Sequence, residues 1–277
     1  MAAKRRPLRK RKPGTPPTRA KSALSQGEAE RLREGIRLHR AGNLQQAAMA
    51  YEQVLAQAPD NPDANHLLGV VAHQAGQPEI AVELIEKAIE QQPENPDMLC
   101  NLGNAQKALG DFDKAESAYR DALDIAPEDH EIHNNLGNLL ADSDRVDAAE
   151  TCYRAAIDIA PEFPQAHNNL GVVLKKQGDL ETAQTHFETA LEILPAYADA
   201  ANNLGDVMLE LGRPDAAREQ YGAAVADEWN RWVAVEMLAS DDDARRRMAD
   251  DRLKSEGDAL PQIIEDTRQW LKTLIDR

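Results

Sequence analysis

The sequence predicts an all-α protein, an α-solenoid of about six helix-turn-helix units, and three in-phase recurrences predict it. Glycine stands at positions 35, 69, 103, 137, 171 and 205, every interval being 34 residues. At a background of about 7% glycine, six in one register arise by chance on the order of once in 10⁷. Alanine keeps phase at 47, 81, 115, 149, 183 and 217, and a large side chain follows each glycine at Tyr51, Ile85, Tyr119, Tyr153, Phe187 and Tyr221. Proline closes the first five periods at Pro59, Pro93, Pro127, Pro161 and Pro195. A fixed period of this length marks stacked supersecondary units, each burying its apolar face against the next.

The units run 28–61, 62–95, 96–129, 130–163, 164–197 and 198–231. In 96–129, Met98, Leu99, Leu102, Ala105 and Leu109 fall on one helical stripe, and Gly110-Asp111 is a stop signal. Ala115, Tyr119, Ala122 and Leu123 then mark a second helix that ends before Pro127, which removes a backbone donor and clashes with the preceding turn. Glycine and alanine recur because antiparallel helices approach closely only where facing side chains are small, with the large residue filling the space beyond. Two positions depart from the pattern. Glu34 replaces the leucine found at Leu68, Leu102, Leu136, Leu170 and Leu204, as expected of a partly solvated terminal unit, and Asp144 replaces a turn glycine.

These small, apolar, turn and proline positions closely resemble the tetratricopeptide repeat. The resemblance implies a right-handed superhelix whose first helices line a concave groove, and function is sought on that face. On each first helix, unit positions 2, 5, 6, 9, 12 and 13 share one side. Position 6 gives Arg33, Leu67, Asn101, Asn135, Asn169 and Asn203. Position 5 gives Leu32, His66, Cys100, Asn134, Asn168 and Asn202, and position 9 gives Ile36, Val70, Asn104, Asn138, Val172 and Asp206. A side-chain amide carries two donors and an acceptor, so it can bond the C=O and N–H of a passing main chain whatever side chains that chain bears. Helices about 8–10 Å apart meet an extended peptide, which rises about 3.3 Å per residue, at about every third residue.

The ladder Asn101, Asn135, Asn169 and Asn203 is similar to that of the O-linked N-acetylglucosamine transferase group, where the resemblance implies a hold on protein substrates by their backbone. Arg33 and Leu67 do not fit it. A solvated row of groove asparagines, common in these repeats, is the plainer alternative. Position 2 adds Asp63, Asp97, Glu131 and Asp199. These acids either concentrate a negative field in the groove, favouring neutral or basic peptides, or serve as first-turn partners of the helix dipole. The clamp by which some such repeats grip acidic chaperone C-termini needs lysine and arginine at positions that here hold His, Cys, Asn and acids, so that mode is disfavoured.

Composition narrows the classes further. The chain of 277 residues has net charge −16, with only 4% aromatic residues, too few for a large enzyme core built on rings. Residues 1–21 hold nine Lys or Arg and no acid, so the remaining 256 residues carry −25. With Pro7, Pro13, Pro16 and Pro17 and almost no apolar side chains, 1–22 reads as a disordered basic tail. Its charges suit phosphate contacts with nucleic acid or an anionic membrane, or the acidic groove itself. Cys100 and Cys152 read as free thiols in a reducing compartment, and no span or secretory signal is legible, so the cytoplasm is the expected location. In 232–277, Ile263, Ile264, Thr267, Trp270, Leu271, Leu274 and Ile275 form a helical stripe expected to cap the last unit, with a partner-binding helix as the alternative.

His130 and His133 have metal-compatible spacing, but no third ligand accompanies them, and packing is the expected role. No phosphate loop, nucleophile elbow or zinc signature occurs. The expectation is a non-catalytic scaffold or adaptor for extended peptides, with no cofactor and no metal. The alternatives are an adaptor tethered by its tail to nucleic acid or membrane, and a substrate-recruiting partner of a separate glycosyltransferase.

Overall fold

The computed structural model describes residues 25–217 and 219–221. The basic tail and the expected terminal cap lie outside these residues. Eleven helices are present among them: α1 (Gln26–Arg40), α2 (Leu44–Leu55), α3 (Pro62–Gln74), α4 (Pro78–Gln91), α5 (Pro96–Ala108), α6 (Phe112–Ile125), α7 (His130–Asp142), α8 (Val146–Ile159), α9 (Pro164–Gln177), α10 (Leu180–Ile193) and α11 (Ala198–Glu210). Residues 214–217 and 219–221 are also helical. Successive helices pack as pairs, as the sequence period predicts. The chain divides into two compact units, one ending at Pro93 and the other starting at Glu94.

In the first compact unit, α1 pairs with α2 and α3 with α4, and α2 packs on α3. Ser25 opens α1 with a reciprocal capping box to Glu28, and Asn61 caps α3 by accepting from the Ala64 amide at 2.8 Å. Tyr51, Ala47 and Val71 form a core against which Leu32, Ile36, Leu67 and Leu68 pack. Glu34 is exposed and pairs with Arg37 on its own helix, consistent with a solvated terminal repeat.

In the second, α5 pairs with α6, α7 with α8 and α9 with α10, and α5, α7, α9 and α11 touch in sequence to form a row. Proline starts α5 and α9 where its missing N–H has no helical partner anyway. Pro127, Pro161 and Pro195 follow the ends of α6, α8 and α10. Two of these prolines also serve as acceptors: His133 Nε2 reaches the Pro127 carbonyl oxygen at 2.9 Å and His167 Nε2 that of Pro161 at 3.0 Å. Asn65 makes the same bond to the Pro59 carbonyl at 2.9 Å in the first compact unit. In three repeats, at Asn65, His133 and His167, a polar side chain thus ties the start of a helix pair to the loop before it, while Leu99 and Ala201 hold the same place in two others.

The periodic glycine is required by direct contact. A Cβ at Gly137 would lie 2.6 Å from Tyr153 Cε1, and one at Gly171 would lie 2.7 Å from Phe187 Cε1. The ring sixteen residues on therefore rests on the glycine itself, where the spacing argument had put it beyond the helix contact. Asp144 explains its own exception: it adopts φ 59°, the left-handed turn conformation that Gly110 takes with φ 79° in the preceding repeat. Leu109, expected inside, is 36% exposed at the C-cap of α5.

Candidate functional site

The row formed by α5, α7, α9 and α11 carries the predicted asparagines, and five of them, Asn134, Asn138, Asn168, Asn169 and Asn203, bond to one another. Asn169 Nδ2 donates to Asn134 Oδ1 at 3.0 Å and to Asn138 Oδ1 at 3.0 Å. Asn203 Nδ2 donates to Asn168 Oδ1 at 2.9 Å, and Asn168 Nδ2 to Asn169 Oδ1 at 3.3 Å. Asn135 Nδ2 donates to Cys100 Sγ at 3.5 Å. The rule is regular: position 6 of one repeat donates to position 5 of the repeat before it, 35 residues back. Position 6 asparagines are half-buried at the surface of the row, whereas Asn134 and Asn168 at position 5 are each only 6% exposed. Position 5 thus forms the floor that holds position 6, and Asn202, at the last repeat, is exposed.

Position 9 answers to the ring beneath it. Tyr119 donates its hydroxyl to Asn104 Oδ1 at 2.7 Å, Tyr153 to Asn138 Oδ1 at 2.8 Å and Tyr221 to Asp206 Oδ1 at 2.8 Å. Where the large residue lacks a hydroxyl, at Ile85 and Phe187, position 9 is Val70 or Val172. The exception is Tyr51, which is fully buried beneath Ile36 with a hydroxyl that has no hydrogen-bond partner. Burial holds its phenol up at about 12. This coupling between positions 9 and 24 is legible in the sequence as a correlation between two columns of residue types, which neither column carries by itself.

Cations on the row are paired across repeats: Lys107 with Asp142 at 2.7 Å and Lys175 with Asp206 at 2.9 Å. Lys176 bonds Asp144. The position 2 acids Asp97, Glu131 and Asp199 are exposed in the first turns of α5, α7 and α11, and Asp63 stands likewise on α3. None of the four joins an ion pair among the described residues. Residues 94–221 carry 25 Asp and Glu against nine Lys and Arg, a strongly negative stretch of chain.

The nucleophile candidates are quiet. Burial pushes the Cys100 thiol up to about 11, and the Cys152 thiol is raised by the same cause. His130 stands edge-on to Phe163 at 4.8 Å, while His133 bonds a proline carbonyl, so both histidines are taken up in packing. No cluster of three or more metal-ligating side chains occurs among the described residues. No helix among them is long and apolar enough to cross a membrane.

This geometry defines a repeat protein of stacked helix pairs, with the first helices of the second compact unit in a row. Models of the tetratricopeptide repeat match residues 38–99, 100–167 with 134–183, and 162–226. Together they span most of the chain, which belongs to that family, and proteins of the family generally mediate protein–protein interactions. Comparison with curated proteins gives no match. Among solved structures, the chain resembles a thermophilic TPR protein of Thermus thermophilus, TTC0263, with 23% identity and TM-score 0.58 over 66% of this chain and 99% of that one. It resembles PilF of Pseudomonas aeruginosa with 18% identity and TM-score 0.62 over 70% and 88%. MamA from Desulfovibrio magneticus RS-1 is similar at 19% identity and TM-score 0.54 over 61% and 96%. At these identities the likeness is one of fold.

Proposed function

We propose that the protein is a non-catalytic scaffold that holds extended peptide segments along the row of α5, α7, α9 and α11, with Asn101, Asn135, Asn169 and Asn203 as the main-chain contacts. The observation that carries this reading is the regular bonding of position 6 to the preceding repeat, which fixes one amide per repeat at the surface of the row. Fixed amides bind with less loss of side-chain entropy than free ones. Asn134, Asn138 and Asn168 accept hydrogen bonds from them, Asn104 holds the place of Asn138 one repeat earlier, and Asn202 extends the row at its exposed end. Asp97, Glu131 and Asp199, in a surround where Lys107, Lys175 and Lys176 are already paired, favour neutral or basic segments over acidic ones. The similarity of the ladder to that of the O-linked N-acetylglucosamine transferase group supports backbone recognition.

The test compares wild type with a variant carrying Asn101→Ala, Asn135→Ala, Asn169→Ala and Asn203→Ala, after circular dichroism shows equal helicity. Loss of a discrete set of captured proteins by the variant supports the reading, and an unchanged set removes it. Tethering through residues 4–21 is separable by salt: phosphate contacts weaken steeply as salt rises, whereas amide contacts to a main chain do not.

A further inference from the structure

Asn169 is the step of the ladder whose amide chemistry is most fully determined. A primary amide has two N–H groups, and both are engaged, one with Asn134 Oδ1 and one with Asn138 Oδ1. Its own Oδ1 accepts from Asn168 at 3.3 Å and keeps a second lone pair. Asn138 is held in turn by the Tyr153 hydroxyl, on a ring 2% exposed, which donates to the same oxygen that receives Asn169. With that oxygen turned toward both donors, Asn169 can meet Asn138 only through N–H.

The next repeat shows the alternative. There the pair beneath is Val172 and Phe187, which offers no acceptor at position 9, and Asn203 donates to Asn168 alone. One N–H of Asn203 is left to the surface, where Asn169 has none.

We propose that Tyr153 and Asn138 are positioning residues that turn the Asn169 amide so that it faces the groove as a hydrogen-bond acceptor alone, making the main-chain N–H of an extended partner the group read at this step. The inference rests on the reading of the ladder as a peptide-binding face. Proline, which has no N–H, is rejected at that register.

The test uses the ¹⁵N-labelled full chain and a double variant, Asn138→Val with Tyr153→Phe, which copies the Val172–Phe187 pair already accommodated one repeat later and so is expected to fold. In wild type both side-chain amide protons of Asn169 exchange slowly with water. In the double variant one becomes fast. Fast exchange of both in wild type, at the rate of exposed Asn202, overturns the proposal. Binding is then read with acetyl-(Lys-Ala-Ser)₄-amide and an analogue in which lactic acid replaces each alanine, exchanging N–H for oxygen at nearly the same shape. Wild type is expected to bind the ester analogue about fivefold or more weakly, the usual worth of a hydrogen bond. The double variant is expected to discriminate less between the two. Equal binding of both peptides by wild type, with loss of both on Asn169→Ala, overturns the acceptor role while leaving the groove reading in place. Indifference to Asn169→Ala, or binding of neither peptide, removes the groove reading and the inference with it.

Discussion

Two tyrosines in equivalent places, Tyr51 in the first compact unit and Tyr153 in the second, have opposite surroundings. Both rings rest on the periodic glycine, at Gly35 and Gly137. Tyr153 donates to Asn138 and through it orders Asn169, whereas Tyr51 lies beneath Ile36 with its hydroxyl unsatisfied. At positions 5, 6 and 9 the first compact unit has Leu32, Arg33, Ile36, His66, Leu67 and Val70, with no asparagine, where the second has asparagine at nine of twelve places. The difference teaches that the polar row is built from the ring outward: the hydroxyls of Tyr119, Tyr153 and Tyr221 each find an acceptor at position 9, and at Asn138 that acceptor also receives the Asn169 amide of the next repeat. A tyrosine alone does not make the row.

The feature the two regions share gives the largest expected effect. Gly137→Ala places a Cβ 2.6 Å from a ring that has nowhere to move, and overpacking of this kind costs about 3 kcal/mol. Gly35→Ala faces Tyr51 Cε1 at 2.4 Å and is expected to cost as much. Urea unfolding reads both. A neutral result at either would mean that the ring swings aside, and the shared architecture would fail as an explanation of the period.

Removing the hydroxyl separates the regions by sign. Tyr153→Phe deletes a donor and leaves the Asn138 oxygen short of a partner, a loss of about 1–1.5 kcal/mol. Tyr51→Phe deletes a buried hydroxyl that bonds nothing, and is expected to be neutral or to stabilise by up to about 1 kcal/mol. Equal destabilisation by both substitutions would erase the contrast.

Much of this was legible beforehand. The 34-residue glycine period, the helix pairs and the loop prolines follow from spacing, because each reflects a contact repeated in every unit. The left-handed turn at Asp144 was visible as a glycine replaced. What spacing could not give was the division of labour among the asparagines. Position 5 and position 6 are adjacent in sequence and chemically identical, yet Asn168 is 6% exposed while Asn169 is half-buried at the surface of the row. Only the packing of α9 on α7 decides which is floor and which is surface.

A difference within the second compact unit predicts a pH response. His167 Nε2 donates to the Pro161 carbonyl, so its Nδ1 accepts from His186 Nδ1, 3.1 Å away. Burial, then the charges of His167 and Arg154, lowers the His186 imidazole from 6.5 to about 4. Over that interval the unfolded chain binds more protons than the folded one, so stability is full above pH 6.5 and is lost progressively as pH falls toward 4. The imidazole is only half-buried, so the loss is smaller than a fully enclosed group would give. His186→Gln is expected to flatten the slope of melting temperature against pH across this range. An unaltered slope would assign it to other groups.

The smallest effect tests the one turn built without glycine. Asp144 holds φ 59° against a left-handed strain that glycine escapes, and its carboxylate is held below the usual carboxylate range by its bond to Lys176. The Asp144 side chain is 82% exposed and that of Lys176 57%, so the pair contributes little. Asp144→Gly relieves the backbone but also gives the unfolded chain more freedom. The balance is a stabilisation of about 0.5 kcal/mol, less than the full left-handed penalty because aspartate tolerates that region better than most residues. The reciprocal change, Gly110→Asp, has nothing within 4 Å to obstruct it and is expected to cost about the same. Opposite shifts of similar size in urea midpoint confirm that the turn is set by backbone conformation. A clear destabilisation by Asp144→Gly would instead show that the bond to Lys176 holds α7 and α9 together.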